Sequence, residues 1–550
     1  MNILYISNSP EDFDLKLDDQ IFSYQLGIGK PVGKNIHRLN DSNLLNKAAL
    51  ELRDDYCDFI NSINSIFLDN DVVLEDKISL FFLTDCSNKR TENFTTYTSI
   101  CHLQVILEKL KNIKIEKIVF NHCSDAFIES SLSIINAEDH EVISQYRINN
   151  YLLLFFQQAR FFIKVFYSLF LMSIYGFKQD KIDSNIHSLY LTRYPLHFEN
   201  GQEDIIYGGL HQAHSHYLIS IITDGIHQSF SGRKLIKKIK ELQSLKSKSI
   251  LLDSYLRTTD VLKAFLNHFH LDYFLHFIIK KEDFIFRGIK INKYIFYELN
   301  YSFLRLSRLL MYRQSIKRVF EKIKPGELHY YLFEFSYGRF FSAILGTFYP
   351  EVNTIGYQHG PISKRKLLFF LSKYEIDRLS FDYLNHVPVP KQIRVEDQFS
   401  IDLYREAGYE NLSLMKKVPR LSVLKSLDRK NIEKNSVLIV CGSNDALFIF
   451  NYLKDEIETT TENKYFFKLH PRGDNRSVLK AMNNSKPQNF ELADKALIHY
   501  FNFVSEVYVT YSSAGVEAMN LNIPVRLIDL PNVIQESPIK DLIRISESKQ

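Results

Sequence analysis

Lys468-Leu-His470-Pro471-Arg472 and Thr510-Tyr-Ser512-Ser513-Ala-Gly515-Val-Glu517-Ala decide how this 550-residue chain is read. Each follows a short apolar run, Tyr465–Phe467 and Val507–Thr510, and each opens a helical pattern. Strand, turn and helix with a polar tip is how an α/β domain offers groups to a ligand at the carboxyl ends of its strands. One tip carries a His, an Arg and a Lys. The other carries two hydroxyls and the free N–H groups of a helix start, which attract anions. Two such tips about 40 residues apart predict a nucleotide-binding half-domain.

Working outward, the surrounding block alternates in the same way. A strand at Val437–Val440 leads into Cys441-Gly442-Ser443-Asn444 and a helix near Ala446–Ile457, and a last strand is expected at Val525–Ile528. The turn Gly442, Ser443, Asn444 is counted with the same nucleotide site. Upstream, the apolar runs Ile3–Ile6, Ile118–Phe120, Leu189–Leu191, Tyr217–Ile222, Ile250–Leu252, Tyr330–Phe333 and Thr354–Gly356 are short, β-rich and separated by helical patterns. That alternation predicts parallel α/β sheets, with a mainly helical stretch over 255–322. The expected division is an N-terminal α/β domain over 1–380 with helical insertions, a Pro- and Gly-punctuated crossover over 381–430, and a nucleotide-binding domain over 431–550.

Composition narrows the class. An apolar fraction of 45% suits a folded protein, and a net charge of +4 gives no reason to expect a nucleic-acid partner. Five cysteines without a C-x-x-C pair suit reduced thiols in a cytoplasmic protein. The N-terminal Met-Asn-Ile-Leu-Tyr-Ile-Ser reads as a strand rather than a secretion signal. Residues 151–175 are long enough to span a bilayer, but Arg160 and Lys164 lie in the run and charges are costly there. A buried or interfacial amphipathic helix is expected instead. Gly232–Glu241 reads as a basic amphipathic helix, either a solvated face or a contact for anionic lipid or a lipid-linked acceptor.

Four further positions carry chemistry. His359, in Gly356-Tyr-Gln358-His359-Gly360, ends an apolar run and can act as a general base or orient a ligand. Glu334 interrupts a strongly apolar strand, where a raised pKa suits acid or base work and an ion pair with Arg339 is the structural alternative. Asp224, before Gly225, is either a base or a turn-forming Asp-Gly. Glu517, one turn into its helix, reaches ribose hydroxyls or complements the helix dipole. His211-x-x-His214-x-His216 and His268-x-His270 lack metal-site partners, so no metal is expected.

The segment Tyr465–Arg472 followed by Val507–Pro524 resembles the C-terminal half of GT-B glycosyltransferases that build bacterial surface polysaccharide, such as capsule Kdo and sialyl-type transferases with His-Pro and Ser-Ser motifs. The related teichoic-acid glycerophosphotransferases share the pattern, and Glu334, Gly356–Gly360 and 391–420 look like surface-carbohydrate transferases. The resemblance covers roughly 330–530. It implies two Rossmann-like domains facing across a cleft and no cofactor beyond a nucleotide-sugar donor, CMP-linked. The implied contacts to its phosphate are His470, Ser512 and Ser513, with Lys468, Pro471 and Arg472 beside them. The acceptor would be a surface glycan, lipid-linked or not, reached in the cytoplasm or at the inner membrane surface. The implied base comes from the first domain: His359, Glu334 or Asp224. His470 and the serines would stabilise the leaving group. A CDP-polyol phosphotransferase and a non-catalytic polysaccharide-assembly protein are the rival expectations.

Overall fold

The computed structural model describes all residues except 10–12, 15–19, 29–30, 33–34, 76, 148–150, 175–185, 194–197, 200–202, 205–206, 208–214, 222–231, 244–248, 359, 377–381, 417, 419–420, 422–423, 425–426, 428, 430, 471–472, 474, 485–486 and 543–550. The chain is α/β, and its three large sheets are wholly parallel. The first contains β1 (Asn2–Ser7), β2 (Gln20–Gln25), β3 (Ile36–Arg38), β4 (Lys117–Asn121) and β5 (Asp139–Val142), ordered β5-β4-β1-β2-β3. The second contains β6 (Ser188–Thr192), β7 (Ser215–Ile219), β8 (Ser249–Leu251), β9 (Glu327–Tyr331), β10 (Asn353–Tyr357), β11 (Gln392–Val395) and β12 (Leu412–Leu414). Its order is β8-β7-β6-β9-β10-β11-β12. The third contains β13 (Ser436–Val440), β14 (Lys464–Lys468), β15 (Phe490–Leu492), β16 (Glu506–Val509) and β17 (Val525–Leu527), ordered β15-β14-β13-β16-β17.

Renumbered from its own first strand, each sheet begins 3-2-1-4-5, the doubly wound order whose direction reverses between strands 1 and 4. Rossmann-like units are therefore present as expected: one sheet over 2–142, one over 188–414 and one over 436–527. A continuous apolar core joins the first two sheets, running from Leu4 and Ile6 through Phe303 and Tyr330 to Tyr404 and Tyr409. The third sheet has its own core on each face, because alternate residues of β13 point opposite ways: Val437 and Ile439 to one side, Leu438 and Val440 to the other.

The segment 381–430, expected to be a crossover, supplies β11, β12 and the helix Gln398–Glu406 to the second sheet. Pro388 and Pro390 precede β11 rather than interrupting it, so the pairing survives. The apolar run Tyr330–Phe333 stops being a strand at Tyr331, because Leu332 takes a left-handed conformation (φ +61°). Such a backbone is costly for a bulky residue. Helices Thr258–Phe277, Asn292–Leu310 and Arg313–Ile323 fill the region read as helical. Tyr151–Ile174 is also a helix, and among the described residues no helix is long and apolar enough to cross a membrane.

Candidate active site

In the third sheet the reversal lies between β13 and β16, so the crevice opens between the turns that follow them. The two turns are packed into one another. A Cβ on Gly442 would fall within the ring of Tyr511, so only glycine lets this backbone lie on that ring. The N–H of Asn444 donates to Tyr511 Oη at 3.3 Å. Across the crevice the Thr510 hydroxyl donates to the buried carboxylate of Asp445. Burial pushes the Asp445 carboxyl up to about 6, against the pull of that hydrogen bond.

Ser512 and Ser513 sit half-exposed at the mouth. Ser512 Oγ accepts from the N–H of Ala514 at 3.4 Å, and Ser513 Oγ lies 3.5 Å from Glu517 Oε1. Ser513 opens the helix Ala514–Asn520 without a side-chain capping bond. The His470 loop leans on the same place. Gly473 donates to the His470 carbonyl at 3.1 Å, and its Cα lies so close to the Ser443 carbonyl that a Cβ would come within 2.8 Å. Gly442, Ser443, Asn444, His470, Ser512 and Ser513 are thus brought together. Lys468 is directed elsewhere: its ammonium donates to the carbonyls of Ala493 (3.2 Å) and Lys495, tying down the segment after β15. Pro471 and Arg472 lie outside the described residues.

The second sheet reverses between β6 and β9, and Glu334 stands at the end of β9. The helix that follows, Ser336–Phe348, packs its Gly338 directly on the Leu332 and Phe333 backbone. Glu334 is buried, and burial lifts its carboxyl to about 7 although Lys366, Arg339 and Arg90 pull it down. Arg339 is itself buried and gives Nη1 to the Phe82 carbonyl (3.3 Å) and Ser87 Oγ (3.0 Å). Arg90 lies over the Phe335 ring at 4.3 Å, with Asp85 and Glu92 at 3.8 and 3.6 Å. Gln358 holds its turn closed, donating to the Gly360 carbonyl at 2.9 Å and accepting from the N–H of Glu396 at 2.9 Å. His359 and Asp224 lie outside the described residues.

The two crevices meet at a seam. Arg365 donates from Nε to the Gln535 carbonyl at 2.5 Å and lies 3.4 Å from Asp541 Oδ1, while the Lys364 N–H reaches Asp541 Oδ2 at 3.3 Å. Thr91 Oγ1 donates to Glu536 Oε1 at 2.8 Å, and Asn444 Nδ2 lies 3.5 Å from the Glu92 carbonyl. Burial raises Glu536 to about 7, and Lys366 opposes that rise as it does for Glu334. Glu536 in turn acts on Tyr511. Glu334, Lys366, Glu536 and Tyr511 therefore belong to one electrostatic environment spanning both units.

Sequence reasoning missed Asp445, Thr510 and Tyr511 as site builders, although all three adjoin or lie within stretches it singled out. Thr91, Arg365, Lys366 and Glu536 gave no local signal. Among the described residues no group of three or more His, Cys, Asp or Glu side chains is placed to hold a metal.

No protein-family model and no curated protein matches this chain. Several solved structures are similar to parts of it. UDP-GlcNAc 2-epimerase of Methanocaldococcus jannaschii is 11% identical over 44% of this chain and 74% of its own, with a TM-score of 0.28. The calicheamicin glycosyltransferase CalG4 is 11% identical over 65% and 83%, with a TM-score of 0.35. MurG of Acinetobacter baumannii is 8% identical over 66% and 84%, with a TM-score of 0.32. Likenesses at this level assign no family.

Proposed function

We propose that this chain is a glycosyltransferase of the GT-B arrangement, moving a sugar from a nucleotide donor to a hydroxyl of a surface glycan. The observation that carries this reading is the seam: two switch-point crevices turned toward each other, one lined by hydroxyls, the other holding a carboxyl poised near pH 7. The crevice of the third sheet takes the donor. The hydroxyls of Ser512 and Ser513 and the imidazole of His470, beside the 442–444 turn, suit a phosphate, and Glu517 stands one turn behind for the ribose. Glu334, half-ionised near neutral pH, is the favoured base for the acceptor hydroxyl, with His359 and Asp224 as the other candidates on that side.

Displacement then inverts the sugar centre. As the donor bond breaks, charge gathers on the departing phosphate, and the groups at the third-sheet crevice stabilise it, with no metal required. The donor is a CMP-activated sugar acid of the nonulosonate or Kdo type, and the acceptor is a growing glycan reached from the cytoplasmic side, lipid-linked at the inner leaflet. The test is donor consumption: the protein is incubated with a panel of CMP-sugars and with CDP-glycerol, and release of CMP is followed. Turnover of a CMP-sugar supports the reading. Turnover of CDP-glycerol alone would make the chain a polyol phosphotransferase. Absence of cytidine-nucleotide binding by calorimetry would overturn both.

A further inference from the structure

Two neighbouring helices present large apolar side chains to solvent on one side of the molecule. In the helix Tyr151–Ile174, residues Leu154, Gln158, Phe162, Val165, Ser168 and Met172 are buried. The opposite stripe, Phe156, Ile163, Tyr167, Phe170 and Ile174, is 50–69% exposed. The helix Thr258–Phe277 repeats the pattern: Val261, Ala264, His268, Leu271 and Phe274 are buried, while Leu262, Leu266, Phe269, Tyr273 and Phe277 are 45–58% exposed. The spacings are helical in both stripes.

The two helices touch through Phe162 and Phe265, with ring centroids 5.2 Å apart. Both turn their buried faces to the helix Asn292–Leu310, where Gln158 meets Arg308 at 3.1 Å and His268 meets Ser307 at 3.2 Å. Their outer stripes therefore open on the same side. Ten large side chains of ~200 Å² each, about half exposed, make a face on the order of 1,000 Å², beyond the roughly 300–600 Å² of a monomer's largest patch.

We propose that this face docks on the surface of an anionic lipid bilayer, lying in the interface without crossing it. Charge decides the occupant. The helix Gly232–Gln243 packs its first turn against Tyr167 and Leu171 of the first apolar helix and exposes Arg233, Lys234, Lys237 and Lys240. Arg160 and Lys164 lie along the first apolar helix itself, which carries no acidic residue, and Lys280 follows the second. Acids lie along the border too, but the cations outnumber them: Asp260 is bound to Arg318 at 2.6 Å, Asp283 lies 3.7 Å from Lys290, Asp272 lies 3.8 Å from His276, and Glu241 lies 3.8 Å from Lys237. A second copy would bring this basic border against itself, since a twofold interface must be self-complementary. Aromatic and aliphatic anchors bordered by cations match a negatively charged leaflet. The inference stands whatever reaction the cleft performs.

The test uses the full chain and vesicle flotation. The protein should float with phosphatidylcholine vesicles containing one-third phosphatidylglycerol, remain behind with pure phosphatidylcholine, and detach as salt is raised. Replacing Ile163, Phe170 and Leu266 together by Glu should cut binding more than tenfold with the melting temperature unchanged. Lys237→Glu and Lys240→Glu should each cut it about fivefold or more. Because Glu at three sites risks misfolding, the Ser versions of the same three positions serve as the second variant and should weaken binding in the same direction. Wild-type protein that does not float, or a folded triple variant that floats as well as wild type, would overturn the proposal. Light scattering that finds a dimer abolished by the triple variant, without vesicle binding, would make the face a self-association surface and overturn it as well.

Discussion

The second and third sheets share one strand order and put opposite chemistry at the same topological point. Each crevice holds a carboxyl lifted by burial, Glu334 to about 7 and Asp445 to about 6. Asp445 is fastened by the Thr510 hydroxyl on the far side of its own crevice. It ties the ends of β13 and β16 together and leaves the serines at the mouth. Glu334 is surrounded instead by the influence of Arg90, Arg339 and Lys366, which come from three separate segments. One crevice uses its acid to hold a shape, and the other keeps its acid near neutrality beside cations. Topology locates a site in both; the local environment of the carboxyl decides what each does.

That contrast is open to attack, and the largest effect lies at Glu334. Glu334→Gln should lower turnover by about 10²- to 10⁴-fold while leaving cytidine-nucleotide affinity unchanged. Asp445→Asn keeps an acceptor for Thr510 and should leave turnover within a few-fold. With Glu334 as base, turnover should rise with pH through about 7, and the Gln variant should lose that limb. A fully active Gln variant would move the base to His359 or Asp224.

Next in size is stability against pH. Both carboxyls bind protons more tightly in the fold than in the unfolded chain, so the stability they lend is complete below their ordinary values, 4.5 and 3.8, and is lost as pH rises through about 7 and about 6. Each accounts for about 3 kcal/mol across its window. Denaturant melts from pH 4 to 8 should therefore show a shallower fall for Glu334→Gln and for Asp445→Asn than for wild type. Ser512→Ala with Ser513→Ala comes third. Loss of hydrogen bonds to a charged phosphate should weaken nucleotide binding by roughly 10- to 100-fold, about 1.5–3 kcal/mol, measured by calorimetry. No matching loss is expected in Glu334-dependent pH behaviour.

Much of the third sheet was legible because its central strands β13, β14 and β16 are buried on both faces and read as unbroken apolar runs, whereas the edge strand β15, with Glu491 and Leu492 exposed, went unread. Every strand expected there ends within one or two residues of the observed one. In the first sheet β2, β3 and β5 went unread: the three residues of β3 include the exposed His37 and Arg38, and β5 is exposed throughout, both too short and too polar to stand out. At the site, hydroxyls and glycines announced themselves as turn residues. Lys468 did not reveal its direction, since a long flexible side chain at a strand end reaches either the crevice or the neighbouring segment, and it took the carbonyls of Ala493 and Lys495. Thr91 and Glu536 meet across 445 residues of chain. No local pattern encodes such a contact; it exists only once the units have closed on each other.

The smallest effect separates a structural serine from a functional one at equivalent places in two sheets. In the first sheet, Ser124 follows the strand that occupies the position of β16 in the third, and its Oγ accepts from the N–H of Phe127 at 3.1 Å to cap the helix Asp125–Ile134. Ser513 starts its helix with no such bond. Ser124→Ala should therefore cost about 1 kcal/mol of stability and leave nucleotide affinity untouched. Ser513→Ala should stay within ~0.5 kcal/mol of wild type yet weaken the nucleotide. The Ser513 hydroxyl reaches Glu517 Oε1 in the same helix at 3.5 Å, a long bond that a charged phosphate can replace. If Ser513→Ala instead destabilises the fold as much as Ser124→Ala and binds nucleotide normally, the serine is a cap and the phosphate contact rests on Ser512 and His470.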